Sequence, residues 1–323
     1  MVVHALRRHP PDDLETVVSG IEYQADLFDR RLEAIGFGKS YLLDTSSEES
    51  LPGGVFRRLD QDSHTFGFGE ALRFRFTRWW AAKASYERAT RLPSPYELFG
   101  DGVLTLPNLR LVPERSHNGN LGVTLDLRRT PAGGFWAEVN GFVRHTQNLI
   151  VLLPIDMIAQ IYQNVWTARS QGVEASGRWT SPGNYLVLDG NVTWLDLRNQ
   201  SDQGAFKDFK GDRVPNRPWM FWNASARVQK TGVSGPRDEL SLVYYLRHVK
   251  GFFRGWESLG LREFKQILPD QTTHSLALTY LARGALTQTW TAEIQNLTDA
   301  KVFDFFGVQR PGRAFFVKVT AEY

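Results

Sequence analysis

The sequence predicts an all-β protein: an antiparallel transmembrane β-barrel whose strands alternate apolar and polar side chains. Three observations carry this. Period-two alternation recurs over segments of roughly ten residues. Short and long connections succeed one another. Large aromatic side chains gather beside the short connections.

The alternation begins at Val17, Ser19, Ile21, Tyr23, Ala25 and Leu27, set against Glu22, Gln24 and Asp26. After a long polar stretch it resumes at Leu72, Phe74 and Phe76, then at Trp80, Ala82, Ala84 and Tyr86. It recurs at Leu121–Leu127, Phe135–Val143, Val173–Trp179, Leu186–Trp194, Trp222–Val228, Leu240–Leu246, Leu276–Tyr280 and Trp290–Ile294. Phe315, Val317, Val319, Ala321 and Tyr323 close the series. About twelve strands result, each of the length a tilted membrane strand needs.

A soluble β-sandwich also alternates, with its apolar face turned inward. Connection lengths separate the two. Short links rich in Gly, Pro and small polar residues are expected near 77–80, 129–134, 181–184, 230–236 and 284–286. Long links are expected near 29–62, 92–113, 148–165, 198–213, 251–270 and 299–309. Short turns at one end and long loops at the other fit a barrel crossing a membrane. Trp80, Phe135, Trp179 and Trp290 all fall on the apolar face close to a short turn, where an interfacial aromatic girdle would sit.

Composition is compatible with this and narrows the function classes. The 323 residues are 42% hydrophobic and 23% charged, with 21 Phe, 10 Trp and 10 Tyr. Barrels escape hydropathy searches because lipid-facing and lumen-facing residues alternate. With no cysteine, disulfides, thiolate metal sites and cysteine nucleophiles are excluded. A net charge of +3 and the lack of a long basic run argue against nucleic acid. None of the seven histidines has a metal-ligand spacing, and no nucleophile elbow, phosphate loop or dinucleotide fingerprint occurs, so neither metal, cofactor nor enzymatic activity is expected. The first 18 residues lack an apolar core and a small-residue cleavage site, so no secretory signal is expected there.

Three stretches resemble the β-barrel of TonB-dependent outer-membrane receptors. The first is R-L-P-S-P-Y-E-L-F-G-D, Arg91 to Asp101, followed by L-V-P-E-R-S-H-N, Leu111 to Asn118. The second is Y-Q-N-V-W-T-A-R-S-Q-G-V-E, Tyr162 to Glu174. The third is E-I-Q-N-L-T-D, Glu293 to Asp299, with F-D-F-F-G-V-Q-R-P-G-R-A-F-F-V-K-V-T-A-E-Y running to Tyr323. The resemblance implies that residues 1–323 are the C-terminal part of a 22-stranded barrel, with the plug domain and the TonB-binding segment absent. It also implies localisation in the bacterial outer membrane and a transport receptor for a scarce nutrient, an iron–siderophore complex by default, energised through the TonB complex. A passive porin-like or adhesive barrel, and a soluble β-rich binding domain, are the alternatives. An open twelve-stranded sheet would leave unpaired backbone groups in hydrocarbon at several kcal/mol apiece, so a fragment of a longer receptor is expected rather than a small closed barrel.

The last strand has its own physical reading. Phe315, Val317, Val319, Ala321 and Tyr323 form an uncharged face, opposite Lys318, Thr320 and Glu322. Such a strand suits recognition by barrel-assembly machinery through strand addition. Ligand contacts are expected from external loops. Arg247, His248, Arg254 and Trp256, in a segment taken as the loop 247–256, combine charge with aromatic surface suited to an anionic chelate. Tyr162 and Asn164 form a second candidate group. The 247–256 residues would equally suit contact with lipopolysaccharide phosphates, which with membrane lipid are further expected partners.

Overall fold

The computed structural model describes residues 13–51, 55–155, 159–258, 266–304 and 308–323, which leaves the first twelve residues outside. The strands are β1 (Asp13–Leu27), β2 (Leu32–Leu51), β3 (Val55–Arg75), β4 (Trp80–Arg91), β5 (Thr105–Leu106), β6 (Glu114–Thr130), β7 (Gly133–Pro154) and β8 (Gln160–Thr180). They continue with β9 (Leu186–Asn199), β10 (Met220–Thr231), β11 (Glu239–Val249), β12 (Phe252–Phe253), β13 (Ile267–Leu268), β14 (Gln271–Ala282), β15 (Thr287–Gln295) and β16 (Ala314–Glu322). One short helix, α1 (Pro95–Phe99), follows β4.

One 14-stranded sheet holds nearly all of these: its main path runs in chain order from β1 to β16, and β5 adds to β8 off the path. Every pairing along the path is antiparallel. β12 and β13 form a separate two-stranded sheet. Among the described residues the outermost strands each have one neighbour, β2 for β1 and β15 for β16, so the sheet they form is not closed.

Register turns the alternation of each strand into two continuous faces. Ala82, Val123, Val139, Ala175, Val192 and Trp222 are successive cross-strand partners on one face. On the opposite face Ser176, Asn191, Asn223, Arg247 and Thr273 are partnered in the same way. Among the described residues the apolar face is not packed against anything: Ile21 is 79%, Leu121 66% and Val317 81% exposed. That excludes a sandwich, whose apolar stripes would meet in a dry interior. On the polar face Lys83 bonds Glu138 at 2.6 Å, Arg178 pairs with Asp189, and Arg73 and Arg75 pair with Glu33.

The polar face is the concave one. Leu14 of β1 and Ile150 of β7 pack into one cluster with Leu98 and Leu111, although β2, β3, β4 and β6 separate their strands in the sheet. Side chains so far apart along a sheet meet only if it curls around them.

Two expectations about connections are corrected. The described part of 29–62 is not a long loop: after the turn at 28–31 it holds β2 and the start of β3. The strand at Leu32–Leu51 was hidden because Ile35, Phe37 and Tyr41 occupy its concave phase, while Ala34, Gly36, Gly38 and Ser40 line its convex one. Gly69, opposite Phe37, makes room for that ring; a Cβ there would lie 2.6 Å from it. Likewise 148–165 is mostly strand, since β7 runs to Pro154 and β8 starts at Gln160. The long excursions are 92–113, 200–219, 250–270 and 296–313, all at the end opposite the short turns. Trp80, Phe135, Trp179 and Trp290 do lie on the convex face beside the short turns, with Phe135 directly opposite Trp179.

Candidate ligand-facing site

The 92–113 excursion folds into the mouth of the curl, and its sequence explains how. Ser94 caps α1 in a reciprocal box: its hydroxyl accepts the Glu97 N–H, and the Glu97 carboxylate accepts the Ser94 N–H. Pro95 sits at the first helical position, where no N–H is required. After the helix, Asp101 accepts from the backbone N–H groups of Val103, Leu104 and Thr105 at 2.8–2.9 Å. Those donors hold its carboxyl down to about 2. The following residues add β5 alongside β8 in parallel.

Arg91 fastens this unit to the wall. Its guanidinium donates to both Glu97 oxygens at 3.0 and 2.8 Å and to Glu114 at 2.7 Å. The same Glu114 oxygen accepts the Ile150 N–H. Beneath the ion pairs, Leu98, Leu111 and Ile150 are buried, with Tyr162 and Phe99 packed against them. Gln61 of β3 donates to the Leu111 carbonyl, so the segment also touches the other side of the curl.

A second cluster lies around the far end of the β7–β8 hairpin. Val151, Leu153 and Val165 pack with Val214 and Trp256, and Phe206 and Phe209 lean on them. Trp256 is stacked on Phe209 with ring centroids 5.2 Å apart and planes 4° apart. Loops from two distant stretches of chain are thereby packed against one hairpin.

The six sequence-predicted ligand residues do not converge. Arg247 and His248 belong to β11, not to a loop, and point to opposite faces. Arg247 faces the concave side. His248 lies on the convex side, with its ring 5.6 Å from that of Trp222 and Nδ1 hydrogen-bonded to Thr272. Arg254 follows β12, its N–H donating to the Gln266 carbonyl. Trp256 is buried in the loop cluster. The Tyr162 ring meets Tyr96 edge-on, and its carbonyl accepts from Asn108. Asn164 exchanges hydrogen bonds with both backbone groups of Val112 and donates to the Asn148 carbonyl. Tyr162 and Asn164 therefore position the 92–113 segment.

Around Arg247 the concave face forms a recess of about 610 Å³, bordered by Tyr245, Phe252, Glu293, Phe303 and Arg310. Sequence reading missed Arg310, Glu293 and the Arg91–Glu97–Glu114 network. Their residue types carry no local signal, because the partners are brought together only by strand register and loop folding. Among the described residues no three His, Asp or Glu side chains cluster as a metal site. Phe315, Val317 and Val319 of β16 line the convex face of the outermost strand, and Tyr323 follows it.

A family model described as TonB dependent receptor-like, beta-barrel, matches residues 39–297. No curated protein matches the chain by sequence. Among solved structures, the copper transporter OprC superposes with a TM-score of 0.71 at 16% identity, covering 95% of this chain and 47% of that one. The ferric preacinetobactin receptor BauA of Acinetobacter baumannii gives 0.68 at 17% identity, covering 96% and 43%. The ferric yersiniabactin uptake receptor FyuA of Yersinia pestis gives 0.67 at 14% identity, covering 97% and 46%. These likenesses are of fold, and the chain spans about half the length of each of these structures.

Proposed function

This chain belongs to the TonB-dependent receptor β-barrel family, and from that premise we propose that it forms the C-terminal part of the wall of an outer-membrane receptor importing a scarce nutrient. Members of this family bind and transport; catalysis is no part of the proposal. The observation that carries it is the division of one curled sheet into an unpacked apolar convex face and a polar concave face whose mouth is filled by folded loops. The convex face would be solvated by lipid and the concave one by water and ligand. The two unpaired strand edges and the half-length match favour a wall completed by further strands.

An iron–siderophore complex is the substrate class we put first, since ferric chelate receptors recur among similar folds; copper, named for one of them, comes second. Arg247, with Arg310 and the aromatic side chains near it, offers charge and stacking surface to an anionic chelate. Arg254 is assigned to the same ligand-facing end. β16 would be the strand presented to the assembly machinery, its free edge adding to a partner strand.

The test is uptake of radiolabelled ferric chelates by cells producing the full receptor, with and without TonB. Uptake that needs both the receptor and TonB supports the proposal. Uptake indifferent to TonB identifies a passive barrel instead, and a full-length chain that is monodisperse and folded in water without detergent removes the membrane assignment altogether.

A further inference from the structure

The convex face carries a row of basic side chains that the transport reading does not use. Arg88 of β4 is the cross-strand partner of His117 in β6, His117 of His145 in β7, and His145 of Arg169 in β8. With neighbouring strands roughly 4.8 Å apart, the row is about 15 Å wide. Arg115 stands two residues further from the short turns, on the same face, opposite Thr90 and Gln147. Arg88, Arg115, His117 and His145 are exposed and Arg169 is half-buried.

Directly below, toward the short turns, the same face turns apolar. Two steps down it shows Tyr86, Gly119, Val143 and Gln171, and the next step gives Ala84, Leu121, Gly141 and Val173. The row therefore lies at the loop-side margin of the surface assigned to lipid tails.

Among the described residues, Arg88, Arg115, His145 and Arg169 have no acidic partner. On this face Asp196 is taken by Arg198 and Arg213, and Glu70, opposite Tyr86, forms no ion pair. His117 is held at Nδ1 by the Tyr86 hydroxyl at 2.7 Å, which leaves its other ring nitrogen for a ligand. Like charges in register on adjacent strands are destabilising unless something neutralises them. Arginine forks match phosphate oxygens, and imidazoles add hydrogen bonds.

We infer that this row binds the phosphate groups of a phosphorylated glycolipid of the outer leaflet, its acyl chains lying on the apolar band beneath. The inference rests on the membrane reading above. The occupant is a lipid headgroup because cationic and apolar surfaces are contiguous, whereas a free anion would gain nothing from the band.

The full receptor, purified in detergent, is offered three probes in native mass spectrometry: bis-phosphorylated lipid A, the same glycolipid stripped of phosphate, and inorganic phosphate. The phosphorylated lipid is expected to bind on the order of a hundred-fold more tightly to the native chain than to an Arg88→Gln, Arg115→Gln, Arg169→Gln variant, from the usual worth of three surface cations. The corresponding Lys variant retains binding. If the Gln variant does not fold, the native chain alone decides, by preferring the phosphorylated lipid over the stripped one. Equal binding of those two lipids overturns the inference and leaves the membrane reading standing. So does complete displacement by equimolar inorganic phosphate. A chain that needs no detergent overturns both.

Discussion

The Asp299 carboxylate accepts the backbone N–H of Arg313 at 2.8 Å, joining the end of the N-L-T-D stretch to the start of the last strand. The backbone of Asp299 is left-handed, with φ 52°, as is that of Asn296, whose side chain brackets both backbone groups of Ala300. Gly312 lies against the same carboxylate: a Cβ there would stand 2.2 Å from Oδ1. The two motifs are thus halves of one clasp that sets where β16 begins.

Gly312→Ala is therefore expected to spring the clasp, and Asp299→Ala to cost about 1–3 kcal/mol through the unpaired N–H. Asp299→Asn, which tolerates the left-handed conformation and keeps an acceptor, recovers most of the loss. Urea unfolding of the receptor in detergent measures all three. An unchanged midpoint in Gly312→Ala contradicts the geometry.

Arg91→Gln is expected to loosen the 92–113 segment by about 1–3 kcal/mol, the worth of hydrogen bonds between charged partners. Glu97 and Glu114, at 12% and 13% side-chain exposure, would lose the guanidinium that both of them bond. Hydrogen exchange should quicken in 92–113 and at Ile150 while β10 and β11 stay protected. Exchange rising equally throughout would mean that Arg91 supports the whole wall.

The turn at Asp101 should respond to acid. Its carboxyl, at about 2 in the fold against an ordinary 3.8, contributes stability that is fully present above 3.8 and is lost as the pH falls through about 2. Amide protection of Val103, Leu104 and Thr105 should fade across that window. Asp101→Asn should show weakened protection already at neutral pH, and protection equal to the native chain's would refute the assignment.

Adjacent residues of β11 should behave oppositely toward ligand. Arg247→Ala is expected to weaken binding of an anionic ferric chelate about ten-fold or more, as loss of a charge-assisted bond does. His248→Ala, on the convex face beside Trp222, should change it less than about two-fold. Calorimetric titration of the full receptor compares them, and equal losses would place the ligand elsewhere.

The sequence by itself determined which side chains share a face, because a pleated strand alternates strictly and so can be read from one segment at a time. It also marked the short turns near 77–80, 129–134, 181–184, 230–236 and 284–286, though not the one between β1 and β2, together with the convex-face aromatics at Trp80, Phe135, Trp179 and Trp290 and the family stretches. Only the tertiary structure decided register and curl. That is why β2 was missed, with Ile35 and Phe37 on the concave side; why Arg247 and His248 were read as loop neighbours; and why Arg91 with Glu114, or Arg88 with His117, His145 and Arg169, carried no signal. Such groups meet across backbone hydrogen bonds between strands far apart in the chain, and no local pattern of residue types encodes which rung faces which.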